Sequence, residues 1–96
     1  RRMSDAGAGQ GSRLVAAVHR DRLRDTAFKL CSIYSPTGSA GEVSDALADL
    51  LRAEGFQVDR PSGGHSAAPA VAVRYAGSRP GRTLQFDGHL DTVHLP

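Results

Sequence analysis

Two different periods of apolar and polar positions run along the chain, and the change between them predicts where helices give way to strands. Leu23, Ala27, Leu30, Cys31 and Tyr34 recur at i, i+4, i+7, i+8 and i+11. That is the stripe of a helix with one face on a core, and it predicts a first helix from around Arg13 to Ile33. Asp25 and Lys29 stand four apart on its wet side, and Pro36 forces Ser35 out of helical geometry and ends the element. Val43, Ala46, Leu47, Leu50 and Leu51 repeat the helical spacing further on. Here the ends are also written locally. Ser39-Ala40-Gly41-Glu42 has the spacing of a capping box, Gly55 suits a left-handed C′ position, and Phe56 is placed to fold back on Leu51.

Beyond Gly55 the period falls toward two. Phe56 to Asp59 predicts a short strand, Pro61 to Ser66 a loop, and Ala70 to Tyr75 a second strand. Gly77 to Gly81 reads as a turn into a last strand, Thr83 to Gly88, in which Leu84 and Phe86 alternate with Thr83, Gln85 and Asp87. Residues 1–11 are mostly Gly, Ala, Ser and Asp without periodicity and predict a flexible tail, with Met3 as a candidate start. Gly7, Gly9 and Gly11 imitate a phosphate loop, but no strand precedes them, so a linker is the better reading. The expected fold class is α/β: two N-terminal helices, then strands of a mixed sheet, all within one domain over 12–96.

Composition narrows the function classes. Of 96 residues, 40% are apolar and 23% charged, ordinary for a globular chain and against global disorder. The net charge is only +2, and the Arg and Asp residues of Arg20 to Asp25 interleave as on a solvated helix face. No basic run with interleaved aromatics exists, so no nucleic-acid partner is expected. The longest early apolar run, Leu14 to Val18, is far short of a membrane span, and Arg1-Arg2 leads into no apolar leader. A cytoplasmic protein without a membrane partner is expected. Cys31, the single cysteine, falls on the apolar stripe and predicts a buried, inert thiol.

The candidate chemistry lies at the tip of the last predicted strand, in Asp87-Gly88-His89-Leu90-Asp91-Thr92-Val93. Gly88 removes a side chain where backbone must bend or approach something closely. His89 and Asp91 stand at i and i+2, so in extended chain their side chains point the same way. An imidazole next to a carboxylate suits a metal site, since a ligating histidine usually has its second ring nitrogen held by an acceptor. The plain alternatives are a partly exposed histidine and a turn aspartate capping local amides. His19 lies in a charged helical stretch and His65 in a Gly-Ser loop, neither placed to coordinate. His94 is close enough to line a cleft, while Asp87 lies on the face opposite Leu84 and Phe86 and is not expected as a ligand. The Ser35-Pro36-Thr37-Gly38 loop holds a hydroxyl but no neighbouring base, against a serine nucleophile.

Gly88-His89-Leu90-Asp91-Thr92-Val93 after an apolar strand resembles the first metal motif of the zinc-dependent aminoacylase and carboxypeptidase family, which includes succinyl-diaminopimelate desuccinylase, acetylornithine deacetylase and glutamate carboxypeptidase. Ser35 to Glu42 is similar to the loop before that family's second helix, and Leu50 to Val58 to the end of that helix and the following strand. The resemblance runs from about Leu23 to the C-terminus, in the family's order.

The resemblance implies the start of an α/β/α metallohydrolase catalytic domain. It implies His89 as a metal ligand and Asp91 as the catalytic residue that orients and polarises the imidazole. Two divalent metals are implied, zinc or else cobalt or manganese, along with an N-acyl amino acid or peptide substrate and a homodimeric parent. The bridging aspartate, the glutamate base and the other ligands would lie beyond Pro96, which makes this an N-terminal fragment of an amide-bond hydrolase, inactive alone. The alternatives are a non-catalytic homologue without its metal centre and a small independent α/β binding module.

Overall fold

A computed structural model describes residues 5–93, with three helices and one pair of very short strands. The helices are α1 (Asp5–Ala16), α2 (Arg20–Cys31) and α3 (Gly41–Ala53), and the strands are β1 (Val58–Asp59) and β2 (Ala72–Val73). The chain is therefore mixed α/β in a loose sense. Its sheet is a single antiparallel pair in which Val58 faces Val73 and Asp59 faces Ala72. Extending that register outward sets Phe56 opposite Tyr75, and their rings meet edge to face with centroids 6.3 Å apart.

The best-defined element is α3, and its C-terminus explains itself. Gly55 takes φ +92°, its amide donates to Arg52 O at 2.9 Å, and the Phe56 amide donates to Leu51 O at 3.1 Å. These are the two bonds of a Schellman motif, as the Gly55-Phe56 pair predicts. The N-terminus departs from expectation. Ala40, not Ser39, is the N-cap, and no side chain caps the helix. The Ser39 amide is already committed to Pro36 O at 2.9 Å, closing a tight turn with Gly38 at φ +85°. Ser39 is thus one residue too early for a capping box with Glu42. Val43 and Ala48 on α3, together with Ala40, form the small buried apolar core.

The first predicted helix is two helices. The chain breaks at 17–19, where His19 is extended at φ −88° and ψ 101°, and α2 restarts with Asp21 in its first turn, a favourable place for an anion. Helix α1 takes in residues 5–11, where the sequence suggests a tail, and contacts no other named element. Helix α2 buries nothing: Leu23 is 62% and Phe28 75% exposed, and Cys31 is exposed, correcting its expected burial. Its link to α3 is an ion pair between Arg22 and Glu54, both half in solvent, which adds little stability.

The last predicted strand does not form. Residues 83–88 find no pairing partner among the described residues, Leu84 and Phe86 lie in solvent, and Gly88 meets nothing described where a Cβ would stand. Amphipathic alternation makes a segment ready for a sheet; it does not supply the partner strand. The radius of gyration, 16.8 Å, exceeds the roughly 12–13 Å of a compact domain this long, in keeping with the loosely packed α1 and α2.

Candidate functional site

The segment carrying His89 and Asp91 is anchored by a partner far away in sequence. Pro36 and Thr92 form an isolated parallel bridge, and the Thr92 amide donates to Ser35 O at 2.8 Å. Ser35 is fully buried beneath this contact, and its hydroxyl lies 3.5 Å from both Leu90 O and Thr92 Oγ1. The turn before α3 is thereby tied alongside residues 90–92, which sets Thr37 next to Asp91.

From that anchoring follows a three-residue chain of hydrogen bonds. Thr37 Oγ1 donates to Asp91 Oδ2 at 2.5 Å, and His89 Nδ1 lies 2.8 Å from Asp91 Oδ1 and 3.1 Å from the Asp91 carbonyl oxygen. Both neighbours of Nδ1 are acceptors, so the proton of a neutral ring belongs on Nδ1 and the Nε2 lone pair is left free. The imidazole is 85% exposed while the Asp91 side chain is 29% exposed, so the carboxylate is sheltered and the ring reaches into solvent. The Thr37 hydroxyl, and after it the His89 ring, hold the Asp91 carboxyl below the usual carboxylate range. Asp91 is consequently charged at neutral pH and able to accept from both partners.

His89 and Asp91 therefore meet as their i, i+2 spacing predicts, even though the strand that was to carry them is absent. Asp87 is turned to Gln85, whose Nε2 donates to Oδ1 at 3.0 Å. His19 and His65 are exposed and apart from the pair, with the His65 amide closing a turn on Ser62 O at 2.8 Å. His94 lies outside the described residues. Thr37 is the participant that the sequence left unassigned; its motif was visible, but only the Pro36–Thr92 bridge shows what its hydroxyl serves.

The donor chemistry fits one corner of a divalent metal site. An Asp-held imidazole with free Nε2 is the usual form of a zinc-bound histidine, at one of the four positions zinc needs. Among the described residues no three His, Cys, Asp or Glu side chains converge to hold an ion.

Next to the pair opens a cleft of about 470 Å3. Leu47 of α3, Pro69 and Val71 of the β1–β2 connection, and Leu90 line it, with His89 and Asp91 at its polar side. The Ser44 hydroxyl donates to Pro69 O at 2.5 Å and receives Arg60 Nη2 at 2.7 Å, fastening that connection to α3. Gly41 permits the close approach: a Cβ there would stand 2.9 Å from Ala67 O. Among the described residues no helix is long and apolar enough to cross a membrane. No family model matches the chain. No solved structure matches it either.

Proposed function

We propose that this chain begins the catalytic domain of a metal-dependent hydrolase that cleaves the amide bonds of N-acyl amino acids or peptides. The supporting observation is the Thr37–Asp91–His89 chain, which fixes the imidazole tautomer and leaves Nε2 as a donor at the edge of an apolar cleft. In this proposal His89 binds one of two divalent ions, zinc or else cobalt or manganese. Asp91 orients the ring and raises its basicity, and Thr37 orients Asp91. A bound ion would polarise the scissile carbonyl and acidify a water. The remaining ligands and the general base are assigned to residues outside those described. The resemblance of residues 88–93 to the aminoacylase and carboxypeptidase motif supports the same reading, and it brings with it a cytoplasmic, homodimeric parent enzyme.

The test is metal content and turnover of N-acyl amino acids in the product of the complete gene. His89→Ala should lose bound metal and nearly all turnover. Asp91→Asn keeps the shape but not the charge, and should cost about 10–100-fold in activity with a smaller loss of metal. Undiminished metal and activity in His89→Ala would overturn the proposal.

A further inference from the structure

From the cleft beside His89 we infer a substrate preference: it receives an uncharged aliphatic acyl group, and the proposed enzyme acts on N-acyl substrates of that kind. This rests on the hydrolase reading, and it goes further by naming the substrate class. The cleft's volume, about 470 Å3, is within the roughly 300–1,000 Å3 of small-molecule sites. Its walls are Leu47 on α3, Pro69 and Val71 on the connecting segment, and Leu90 next to the hydrogen-bonded pair. These are aliphatic surfaces without an aromatic ring, suited to a chain rather than a stacked plane.

Charge points the same way. Among the described residues no Lys or Arg lines the cleft, and the titratable ones that do are His89 and Asp91. The nearby Arg60 guanidinium is already matched by Asp45 Oδ1 at 2.9 Å, with Ser44 Oγ and Ala70 O as its other acceptors. A terminal carboxylate carried in by a diacid acyl group would meet no cation among the described lining residues, and it would lie near the Asp91 carboxylate. An alkyl group meets the aliphatic surfaces of Leu47, Pro69, Val71 and Leu90. Its amide end would then lie toward His89, where the polar groups are.

The wall is also fixed. Ser44, buried on α3, holds Pro69 through its hydroxyl, and Gly41 lets the Ala67 backbone approach the helix. A preformed apolar cleft loses less affinity to ordering than a flexible one.

The test uses the 96-residue chain without metal, in the presence of a chelator. N-acetyl-, N-butanoyl-, N-hexanoyl- and N-succinylglycine are titrated while the backbone amide resonances are followed. Shifts should concentrate at Leu47, Val71 and Leu90. Affinity should tighten about threefold to fourfold for each methylene that enters, and N-butanoylglycine should bind at least tenfold tighter than N-succinylglycine, its near-isostere with a terminal carboxylate. Ala68 also lines the cleft, so Ala68→Leu, which narrows it, should weaken the hexanoyl compound more than the acetyl one, and Leu47→Ala should flatten the series. N-succinylglycine binding as tightly as N-butanoylglycine, or no dependence on chain length, overturns the inference. Because the series is read without metal, failure of the His89 metal assay leaves this result standing, and a flat series leaves that assay untouched.

Discussion

Replacing Ser44 by alanine is the sharpest test of how the cleft is built. The Ser44 side chain is buried, donates to Pro69 O at 2.5 Å and accepts from Arg60 Nη2 at 2.7 Å. Ser44→Ala removes both bonds and leaves the Pro69 carbonyl without this donor. The neutral bond contributes about 1 kcal/mol net. A bond from a guanidinium is worth about 1.5–3 kcal/mol in general. Arg60 nevertheless keeps Asp45 and Ala70 O, and its side chain is 21% exposed, so about 1 kcal/mol is the fitting share. The expected loss is about 2 kcal/mol, large against the roughly 5 kcal/mol at the low end for small domains. With an m-value of about 1 kcal/mol/M, the urea midpoint should fall by about 2 M. The melting temperature should fall by about 10 °C. Urea unfolding by circular dichroism measures this, with Arg60→Met and the double variant completing a cycle. The two changes should be coupled by about 1 kcal/mol. If Ser44→Ala lies within about 0.5 kcal/mol of the wild type, or the two changes simply add, the bonds do not fasten the wall as argued.

Thr37→Val deletes the donor that most lowers the Asp91 carboxyl pKa, so that pKa should rise toward the ordinary range in an NMR titration while the His89 contact persists. A carboxyl lowered by folding adds stability above its unfolded pKa and loses it as pH falls through the folded value. The stability gap between wild type and Thr37→Val should therefore be present at neutral pH and close in acid; a gap independent of pH would contradict this. Gly55→Ala forces a Cβ into φ +92° and should destabilise the chain by about 1 kcal/mol, read from its thermal midpoint. Among the described residues a single imidazole is placed to bind an ion, too few for a zinc site. The 96-residue chain alone should therefore not hydrolyse N-acyl amino acids whatever divalent metal is added; metal-dependent turnover would disprove that.

What was legible in the sequence was what local chemistry decides. The Val43 to Leu51 spacing and the Gly55-Phe56 stop depend on neighbours within one or two turns, and α3 follows them. The His89–Asp91 contact was legible too, since two residues of extended chain suffice to bring them together. The capping box failed because Ser39 had a competing local bond to Pro36, which spacing alone does not reveal. The strand at 83–88 failed for a different reason: its alternation describes a face, while a strand needs a partner. Thr37 was hidden for the same reason, because its role exists only through a contact 54 residues away.

The bridge between Pro36 and Thr92 has a consequence for the order in which the molecule assembles. It closes a loop between residues 57 apart, Ser35 and Thr92. Loop closure on that scale costs roughly 3–4 kcal/mol of chain entropy before any contact compensates. Helix α3 and its Schellman end form from local contacts, whereas the Thr37–Asp91–His89 chain exists only once the distant ends have met. The site should therefore be among the last parts to organise and the first to open. Hydrogen exchange at the Thr92 amide would track the opening of the site, while the Phe56 amide would remain protected until α3 itself unravels.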